Sequence, residues 1–238
     1  MTTTPHPNPL PAKRGEGTVV VAILCGGRGT RLGALTREIP KPMIEIGGRP
    51  YLERVIESFS ERDLREIVLL TGFRSDVIEN HFGDGARFGV SIRYSREREP
   101  LGTGGALREA RELLGARFLV TYGDVLRRFD YDRFVQHEGN CLAVYPRRTS
   151  GNVDVAEDWV VRFDKRAPEL PYVDAGFSVM QAGVLDLLPL DGACSFEDIV
   201  YAGLAEHGGL AAEIVDHDFF DIGTPEELAR TRASLEDR

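Results

Sequence analysis

The sequence lacks the features that identify several classes of protein. Its 238 residues include only three cysteines, which are scattered along the chain without metal-ligand or redox spacing. We therefore expect reduced thiols in a cytoplasmic protein. The apolar run TVVVAILC has eight residues, whereas about 20 are needed to cross a bilayer. No membrane partner is expected.

A basic excess is also missing. Lysine and arginine number 29 against 38 acidic residues, which gives a formal net charge of −9. A surface that follows a phosphate backbone normally carries a basic stripe, so we expect no nucleic-acid partner. The apolar share of 42% and the charged share of 28% are ordinary for a globular protein.

The first 17 residues differ in composition from the rest of the chain. The segment MTTTPHPNPLPAKRGEG has four prolines within seven positions and almost no apolar content. Such a composition cannot bury enough apolar surface to offset the entropy cost of ordering the chain. We expect a disordered tail over 1–17 and one folded domain over 18–238.

Apolar runs of strand length alternate with helical patterns in the first half of the chain, which is typical of an α/β fold. The second half has less helix between its runs VVRFD, YVDAGFSVM and AAEIVDHDFFDIG, which we expect to be strands of an antiparallel extension. The predicted fold is a Rossmann-like α/β domain with a mixed, mostly parallel sheet flanked by helices. The strand candidates of the first half are TVVVAILC, EIVLLTG, SIRYS, RFLVTYG and CLAVYP.

Three helix starts have capping signals. Ser75 is expected to cap a short helix, Ser195 has Asp198 three residues further on, and Thr224 precedes a proline and has Glu227 three residues further on.

A glycine-rich stretch follows the first strand candidate: ILCGGRGTRLGALTREIPKPMIEI. It is not the dinucleotide fingerprint, because Leu32 replaces the third glycine and no acidic residue ends the second strand candidate. No Walker A sequence occurs either. Prolines on both sides of Lys41 fix the backbone around it, and such a cationic loop suits a highly charged substrate. A simple turn with solvated arginines is the alternative.

The string GGRGTRLGALTREIPKPMIEIGGRP resembles the signature of the sugar-1-phosphate nucleotidyltransferases. The resemblance extends over about 18–232 and implies the nucleotide-diphospho-sugar transferase fold. It also implies that Arg31 binds phosphates and that Lys41 neutralises charge during transfer. The nucleotide-binding residues that it implies in this stretch are Cys25, Gly26, Gly27, Gly29, Thr30 and Arg31.

A second glycine-rich loop, LGTGG, precedes a helical pattern. In the family a loop of this kind recognises the base, so the resemblance implies that Gly102, Thr103 and Gly104 contact nucleotide, and Gly123 likewise. Taken alone, this loop could be a helix start capped by Thr103.

The resemblance implies a Mg²⁺ site built from two aspartates that are far apart in sequence. Asp124 ends the apolar strand FLVTYGD, and Asp221 lies in DIGTPEEL, which matches a motif near the family's C-terminus. A strand-end aspartate is otherwise most often a turn or cap residue. Mg²⁺ takes one or two carboxylates and completes its shell with phosphate and water.

The sugar phosphate is expected to bind in the second half of the chain. Lys165 resembles the family lysine that holds the sugar phosphate, whereas Asp164 replaces the usual glutamate. Asp174, Gly176 and Asn152 are the other candidate sugar contacts, although the family often has asparagine at the position of Asp174.

The resemblance implies transfer of a nucleotidyl group from a nucleoside triphosphate to a sugar 1-phosphate, with release of pyrophosphate. Arg31, Lys41 and Lys165 are the expected catalytic residues. EPLGTGGAL resembles the D-glycero-D-manno-heptose 1-phosphate guanylyltransferases. The resemblance therefore implies GTP and that heptose phosphate as the substrates, with CTP as an alternative nucleotide. The protein is expected to be a monomer or homodimer.

Two other classes remain open. A glycosyltransferase would hold metal through Asp130 and Asp132, which have Asp-x-Asp spacing, and a catalytically silent sensor would bind nucleotide sugar without turnover.

Overall fold

A computed structural model describes residues 19–146, 150–167, 169–216 and 218–235. The predicted disordered tail lies outside these residues. No helix in the described part of the chain is both long and apolar enough to cross a bilayer.

Thirteen strands occur in the described residues. They are β1 (Val20–Leu24), β2 (Glu45–Ile46), β3 (Arg49–Pro50), β4 (Glu66–Thr71), β5 (Ser91–Arg96), β6 (Arg117–Tyr122), β7 (Val125–Arg128), β8 (Cys141–Pro146), β9 (Val153–Ala156), β10 (Trp159–Phe163), β11 (Tyr172–Gln181), β12 (Ala211–Ile214) and β13 (Asp218–Asp221).

Helices connect these strands, together with shorter 3₁₀ turns and one π-helical segment, Glu197–Tyr201, that continues into α6. The α-helices of the described residues are α1 (Tyr51–Ser60), α2 (Ser75–Phe82), α3 (Gly102–Glu109), α4 (Arg111–Leu114), α5 (Asp132–Gln136), α6 (Ala202–Glu206) and α7 (Pro225–Leu235).

Nine of the strands form one mixed sheet with the order β5-β4-β1-β6-β11-β8-β12-β10-β9. The first four strands of this order are parallel, and β11 runs antiparallel to both β6 and β8. Parallel pairing returns only between β8 and β12. The chain order of the parallel strands reverses direction between β1 and β6, so a ligand crevice is expected at their carboxyl ends.

Helices cover both faces of the sheet. Successive side chains of a strand point to opposite faces, so a central strand such as β1 contributes to an apolar cluster on each face. On β1, Val21 and Ile23 pack in one cluster with α1, α2, α5 and α7, whereas Val20 and Ala22 pack in the other with α3, α4 and α6. This arrangement explains why the first strands read as continuous apolar runs. The predicted α/β fold with a mixed sheet is confirmed.

The run AAEIVDHDFFDIG does not form a single element. Its first part is β12 in the main sheet, and its last part is β13, which pairs antiparallel with β7 in a separate two-stranded ribbon. The ribbon connects the segment after β6 with the segment before α7.

Two of the three predicted caps form. The Asp198 N–H donates to Ser195 Oγ at 3.1 Å, and the Glu227 N–H donates to Thr224 Oγ1 at 3.2 Å. The Ser75 cap is wrong, because Arg74 occupies the cap position with a left-handed backbone (φ 49°) and the buried Ser75 hydroxyl has no partner among the described residues.

Candidate active site

A cavity of about 430 Å³ lies at the carboxyl ends of the parallel strands, at the point where the chain order reverses. We call it the first cavity. The loops after β1, β5 and β6 contribute to its walls. The predicted site residues that line it are Cys25, Gly26, Gly27, Gly29, Thr30, Arg31, Lys41, Gly102, Thr103 and Asp124.

The glycines after β1 allow side chains to approach the loop closely. Gly29 has φ +62°, and a Cβ there would lie 2.9 Å from the Lys41 Cβ. A Cβ on Gly26 would lie 2.5 Å from Glu97 Oε1. The Thr36 hydroxyl donates to the Gly29 carbonyl at 2.9 Å and fixes the turn. Because Gly26 and Gly29 have no side chains, the backbone of this loop can lie directly against Lys41 and Glu97.

Lys41 lies at the start of a 3₁₀ turn, Lys41–Met43, and follows Pro40 in extended conformation. The side chain of Lys41 is buried and forms an ion pair with Asp124. A buried cation needs such a partner to offset its lost hydration. The ion pair places Lys41 beside Asp124, which follows the end of β6.

The β7–β13 ribbon brings Asp221 to Asp124. Asp221 pairs in register with Val125, and the Ile222 N–H donates to the Asp124 carbonyl at 3.2 Å. The fully buried Tyr51, the first residue of α1, fixes the ribbon, because its hydroxyl donates to the Phe220 carbonyl and accepts the Leu126 N–H.

The two aspartates make a fitting donor set for Mg²⁺. Burial, together with the nearby charge of Asp124, raises the pKa of the Asp221 carboxyl to about 6. Two carboxylates that resist ionising together are stabilised by a divalent cation between them. Within the described part of the chain, no three His, Cys, Asp or Glu side chains form a group that could hold a metal ion.

A second cavity of about 560 Å³ adjoins the first and shares Gly102, Thr103 and Tyr122 with it. Lys165, from the loop after β10, lines only the second cavity. The structure therefore places the lysine predicted for the sugar phosphate beside the predicted nucleotide site. The segment before the π-helical turn forms much of the opposite wall.

The glycines of the second loop pack against that segment. Gly102 has φ +70°, and a Cβ there would lie 2.5 Å from the Cys194 carbonyl oxygen. The Gly104 N–H donates to the same carbonyl at 2.9 Å. Gly123 also serves the fold, because its N–H donates to the Leu24 carbonyl at 3.0 Å. Gly104 and Gly123 do not line either cavity, whereas Gly102 lines both.

The remaining sugar candidates lie away from the cavity walls. Asn152 Oδ1 accepts the Asp174 N–H at 2.9 Å, and Asp174 Oδ1 accepts the Gly176 N–H at 2.6 Å. Gly176 has φ +62° in an irregular part of β11, and a side chain there would meet Arg127. Asp164 pairs with an exposed arginine. None of these four residues lines either of the two cavities.

Two carboxylates at the site were missed from the sequence. Glu97 lines the first cavity and accepts the Leu101 N–H at 3.0 Å. Glu197 lines the second cavity and is buried. Each follows or precedes other charged residues, so the sequence pattern suggested solvated surface. Only the proximity of Glu97 to a glycine loop was a usable signal.

The pair with Asp-x-Asp spacing lies elsewhere. Asp130 and Asp132 follow β7, and the Asp132 N–H donates to the Asp130 carboxylate at 2.9 Å. Neither residue lines the first or second cavity. Asp130 instead lines a third cavity of about 590 Å³, whose lining includes none of the other residues predicted to bind nucleotide, sugar phosphate or metal.

Comparison with known proteins gives relatives along most of the chain. D-glycero-α-D-manno-heptose 1-phosphate guanylyltransferase from Campylobacter jejuni is 32% identical over 212 residues, which cover 86% of this chain and 95% of that protein. Mannose-1-phosphate guanylyltransferase from Mycobacterium tuberculosis is 33% identical over 231 residues, or 91% of this chain and 64% of that protein.

A solved structure has the same fold. The crystal structure of HddC from Yersinia pseudotuberculosis, complexed with GMP-PN, matches with a TM-score of 0.78 and 25% identity, and the match covers 91% of this chain and 99% of that one. The profile of the family described as nucleotidyl transferase matches residues 20–156. The chain therefore belongs to the nucleotidyl transferase family, which confirms the family predicted from its glycine-rich loop and PKP segment.

Proposed function

We propose that this protein transfers the guanylyl group of GTP to D-glycero-D-manno-heptose 1-phosphate and releases pyrophosphate. One observation carries the proposal: Lys41, Asp124 and Asp221 meet at the reversal point of the sheet, and a second cavity with Lys165 opens beside them. The first cavity would hold the triphosphate and the second would hold the sugar phosphate. The heptose is the substrate in the name of the Campylobacter jejuni relative.

The reaction requires no dedicated base among the protein's residues. A phosphate monoester has a second pKa near 6, so the attacking oxygen is already anionic at neutral pH. The protein's task is to orient two anions for in-line attack on the α-phosphorus and to offset their charge. Arg31 and Lys41 would do so on the triphosphate, and Lys165 on the sugar phosphate.

Asp124 and Asp221 would hold Mg²⁺. When bound, the ion would offset phosphate charge and polarise the phosphoryl group that is transferred. Lys41, paired with Asp124, would hold its ammonium within reach of the same phosphates. The two aspartates would otherwise repel the substrates, so the cationic side chains and the ion are needed together.

Glu97 supports guanine as the base. Its carboxylate lines the first cavity next to the loop after β1, and burial raises its pKa. A carboxylate is an acceptor with two oxygens. Guanine presents two adjacent donors on its Watson–Crick edge, N1–H and N2–H₂, whereas cytosine presents an acceptor next to its amino group. A carboxylate at this position therefore favours GTP over CTP.

The proposal is tested by measuring pyrophosphate release with GTP, CTP, UTP and ATP, each paired with heptose, mannose and glucose 1-phosphates. GTP with the heptose phosphate is expected to give the highest kcat/KM. A preference for mannose 1-phosphate would favour the activity named for the mycobacterial relative. Release of free nucleoside diphosphate from a nucleotide sugar, without pyrophosphate, would contradict the proposal.

The base assignment has its own test. Glu97→Gln replaces one acceptor oxygen with a donor and is expected to lower the kcat/KM ratio of GTP to CTP. Glu112→Gln, an exposed change on α4, is the matched control and should leave the ratio unchanged. An unchanged ratio in Glu97→Gln would show that the base is read elsewhere.

The cellular setting is part of the proposal. We place the reaction in the cytoplasm, and all three cysteines, which lie in the described part of the chain, are free thiols, as a reducing compartment favours. The protein is proposed to act as a monomer or homodimer, which light scattering of the purified chain would decide.

A further inference from the structure

A buried carboxylate lies at the boundary between the two cavities. Glu197 begins the π-helical turn, and its side chain is 4% exposed. Acidic side chains are almost never fully buried unless they are paired or hydrogen-bonded. The partners of Glu197 therefore indicate what this residue does.

Four donors converge on this carboxylate. Oε2 accepts the Thr103 hydroxyl at 2.7 Å, the Ser195 hydroxyl at 2.8 Å and the Lys165 ammonium at 3.0 Å. Oε1 accepts the Tyr122 hydroxyl. The carboxylate thus uses both oxygens, and its partners come from four separate segments of the chain.

The electrostatics keep this group ionised. Burial alone would raise the pKa of the Glu197 carboxyl, but the hydrogen bonds from Tyr122 and Thr103 and the charge of Lys165 outweigh it and lower the pKa to about 2. A group that remains an anion at every pH of interest is not suited to proton transfer near neutrality. Its role is to hold its partners.

The partners connect the two cavities. Thr103 lies in the first turn of α3 and lines both cavities, whereas Lys165 lines only the second. Lys165 also donates to Ser195 Oγ at 3.2 Å and lies 3.8 Å from the exposed carboxylate of Asp198. The Ser195 hydroxyl itself donates to Glu197, so loss of Glu197 would weaken both close contacts of the long Lys165 side chain and let it sample more rotamers.

We infer that Glu197 is a positioning residue that holds Lys165 against the first turn of α3, so that a phosphate bound by Lys165 faces the nucleotide in the first cavity. The inference rests on the proposed function. A displacement of about 1 Å at a reacting centre can cost about 100-fold in rate, so loss of the contact between Glu197 and Lys165 should lower kcat.

The first test is kinetic. Glu197→Gln keeps the shape of the side chain but leaves one acceptor oxygen for four donors, and kcat for pyrophosphate release is expected to fall about 10- to 100-fold. Glu197→Asp keeps the charge and is expected to recover part of the loss. Asp198→Asn, the matched control beside Lys165, should remain close to wild type. A wild-type kcat in a folded Glu197→Gln protein would overturn the inference.

A double mutant separates positioning from a purely structural role. If Glu197 acts through Lys165, adding Glu197→Gln to Lys165→Met should cost little beyond Lys165→Met alone. Additive losses would show that Glu197 only stabilises the fold and would overturn the inference. Thermal unfolding of each variant identifies any loss of folded protein, and in that case the comparison is made with Glu197→Asp.

A third measurement does not depend on activity. The chain has three lysines, Lys13, Lys41 and Lys165, so acylation of each amine can be followed by mass spectrometry. Lys165 is expected to react faster in Glu197→Gln than in wild type, while Lys13 serves as the internal reference. An unchanged rate would mean that the contact does not hold Lys165 in solution, which overturns the inference. Absence of pyrophosphate release by wild type would instead contradict the proposed function.

Discussion

The two sides of the site differ in how the chain assembles them. The first cavity takes most of its walls from two short segments of sequence, 24–42 and 97–106, which follow β1 and β5, two parallel strands on either side of β4. The second cavity takes Lys165 and Glu197 from segments that are more than 30 residues apart, and these meet through one buried carboxylate. Parallel strands deliver their loops to one edge by topology alone, whereas the second side depends on packing between distant elements.

The largest effect is expected from Asp124→Asn, which changes a residue that lines the first cavity and not the second. Asp124 pairs with Lys41 and lies near Asp221, so the change removes charge where the proposed function places the metal and the phosphates. Loss of such an electrostatic group typically costs about 10²–10³ in kcat. The rate of pyrophosphate release at saturating substrate measures this loss in kcat.

Asp132→Asn is the control for this prediction. Asp132 is exposed at the start of α5 and belongs to the Asp-x-Asp pair. Asp132→Asn should leave the rate of pyrophosphate release near that of wild type. The opposite pattern, with Asp132→Asn inactive and Asp124→Asn active, would move the metal site to the segment after β7.

Lys165→Met would sharpen the comparison by affecting one side only. The KM for the sugar phosphate is expected to rise and kcat/KM to fall by about 10- to 100-fold, or about 1.4 kcal/mol for each tenfold loss. The KM for GTP should change little, because Lys165 does not line the first cavity. Arg166→Met, the neighbouring exposed cation, is the control. Equal changes in both KM values would show that the two cavities do not divide the substrates.

Gly102→Ala would test the packing that joins the two sides. The residue has φ +70°, and the new Cβ would lie 2.5 Å from the Cys194 carbonyl oxygen. A strained backbone of this kind costs roughly 1–3 kcal/mol, measured as the free energy of unfolding in urea. Gly203→Ala, in α6, has nothing within 4 Å of its Cβ and no positive φ, so it should be neutral or stabilising. Equal stability of the two variants would disagree with this packing.

The smallest effect concerns Asp174, which lines neither cavity. Burial raises the pKa of its carboxyl to about 6, above an unfolded value of about 3.9. The folded protein thus retains a proton that the unfolded chain releases, so this group contributes stability below about pH 4 and loses it as the pH rises through about 6.

Asp174→Asn should therefore flatten the fall in the free energy of unfolding between about pH 4 and 6, by on the order of 1 kcal/mol. Urea titrations at several pH values measure it. Asp164→Asn should not flatten that fall, because the Arg166 N–H and the nearby Arg162 lower the pKa of Asp164. If the free energy of unfolding of Asp174→Asn fell with pH as steeply as that of wild type, Asp174 would not have a raised pKa in the folded protein.

The fold was largely predictable because the central parallel strands β1, β4 and β6 are apolar on both faces and the first helices have apolar residues at helical spacing. The predictions were weaker where tertiary contacts decide the outcome. Ser75 has the residue type of a cap, but Arg74 takes the left-handed position before it. The split of AAEIVDHDFFDIG between two sheets follows from pairing with β7 and β8, which no local pattern encodes.

In the site, too, residues placed by local sequence could be predicted and residues placed by tertiary contacts could not. Lys41 could be predicted because its prolines and the glycines before it are neighbours in sequence. Glu197 could not, because three of its four partners come from distant segments, and its sequence context is that of any acidic residue at a helix start. Gly104 was assigned to the nucleotide on its motif, while its N–H is directed at Cys194. The site assignments stay predictions until they are tested by substitution.

The Tyr51 hydroxyl is hydrogen-bonded to both strands of the β7–β13 ribbon, so we expect the stability of the first helix to be coupled to that of the ribbon, which contains Asp221 and directly follows Asp124. A cation that orders the ribbon must then also stabilise α1, and a stable α1 must raise affinity for the cation by the same free energy. Amide hydrogen exchange in α1 should consequently slow when Mg²⁺ is added, although no residue of that helix is expected to touch the ion.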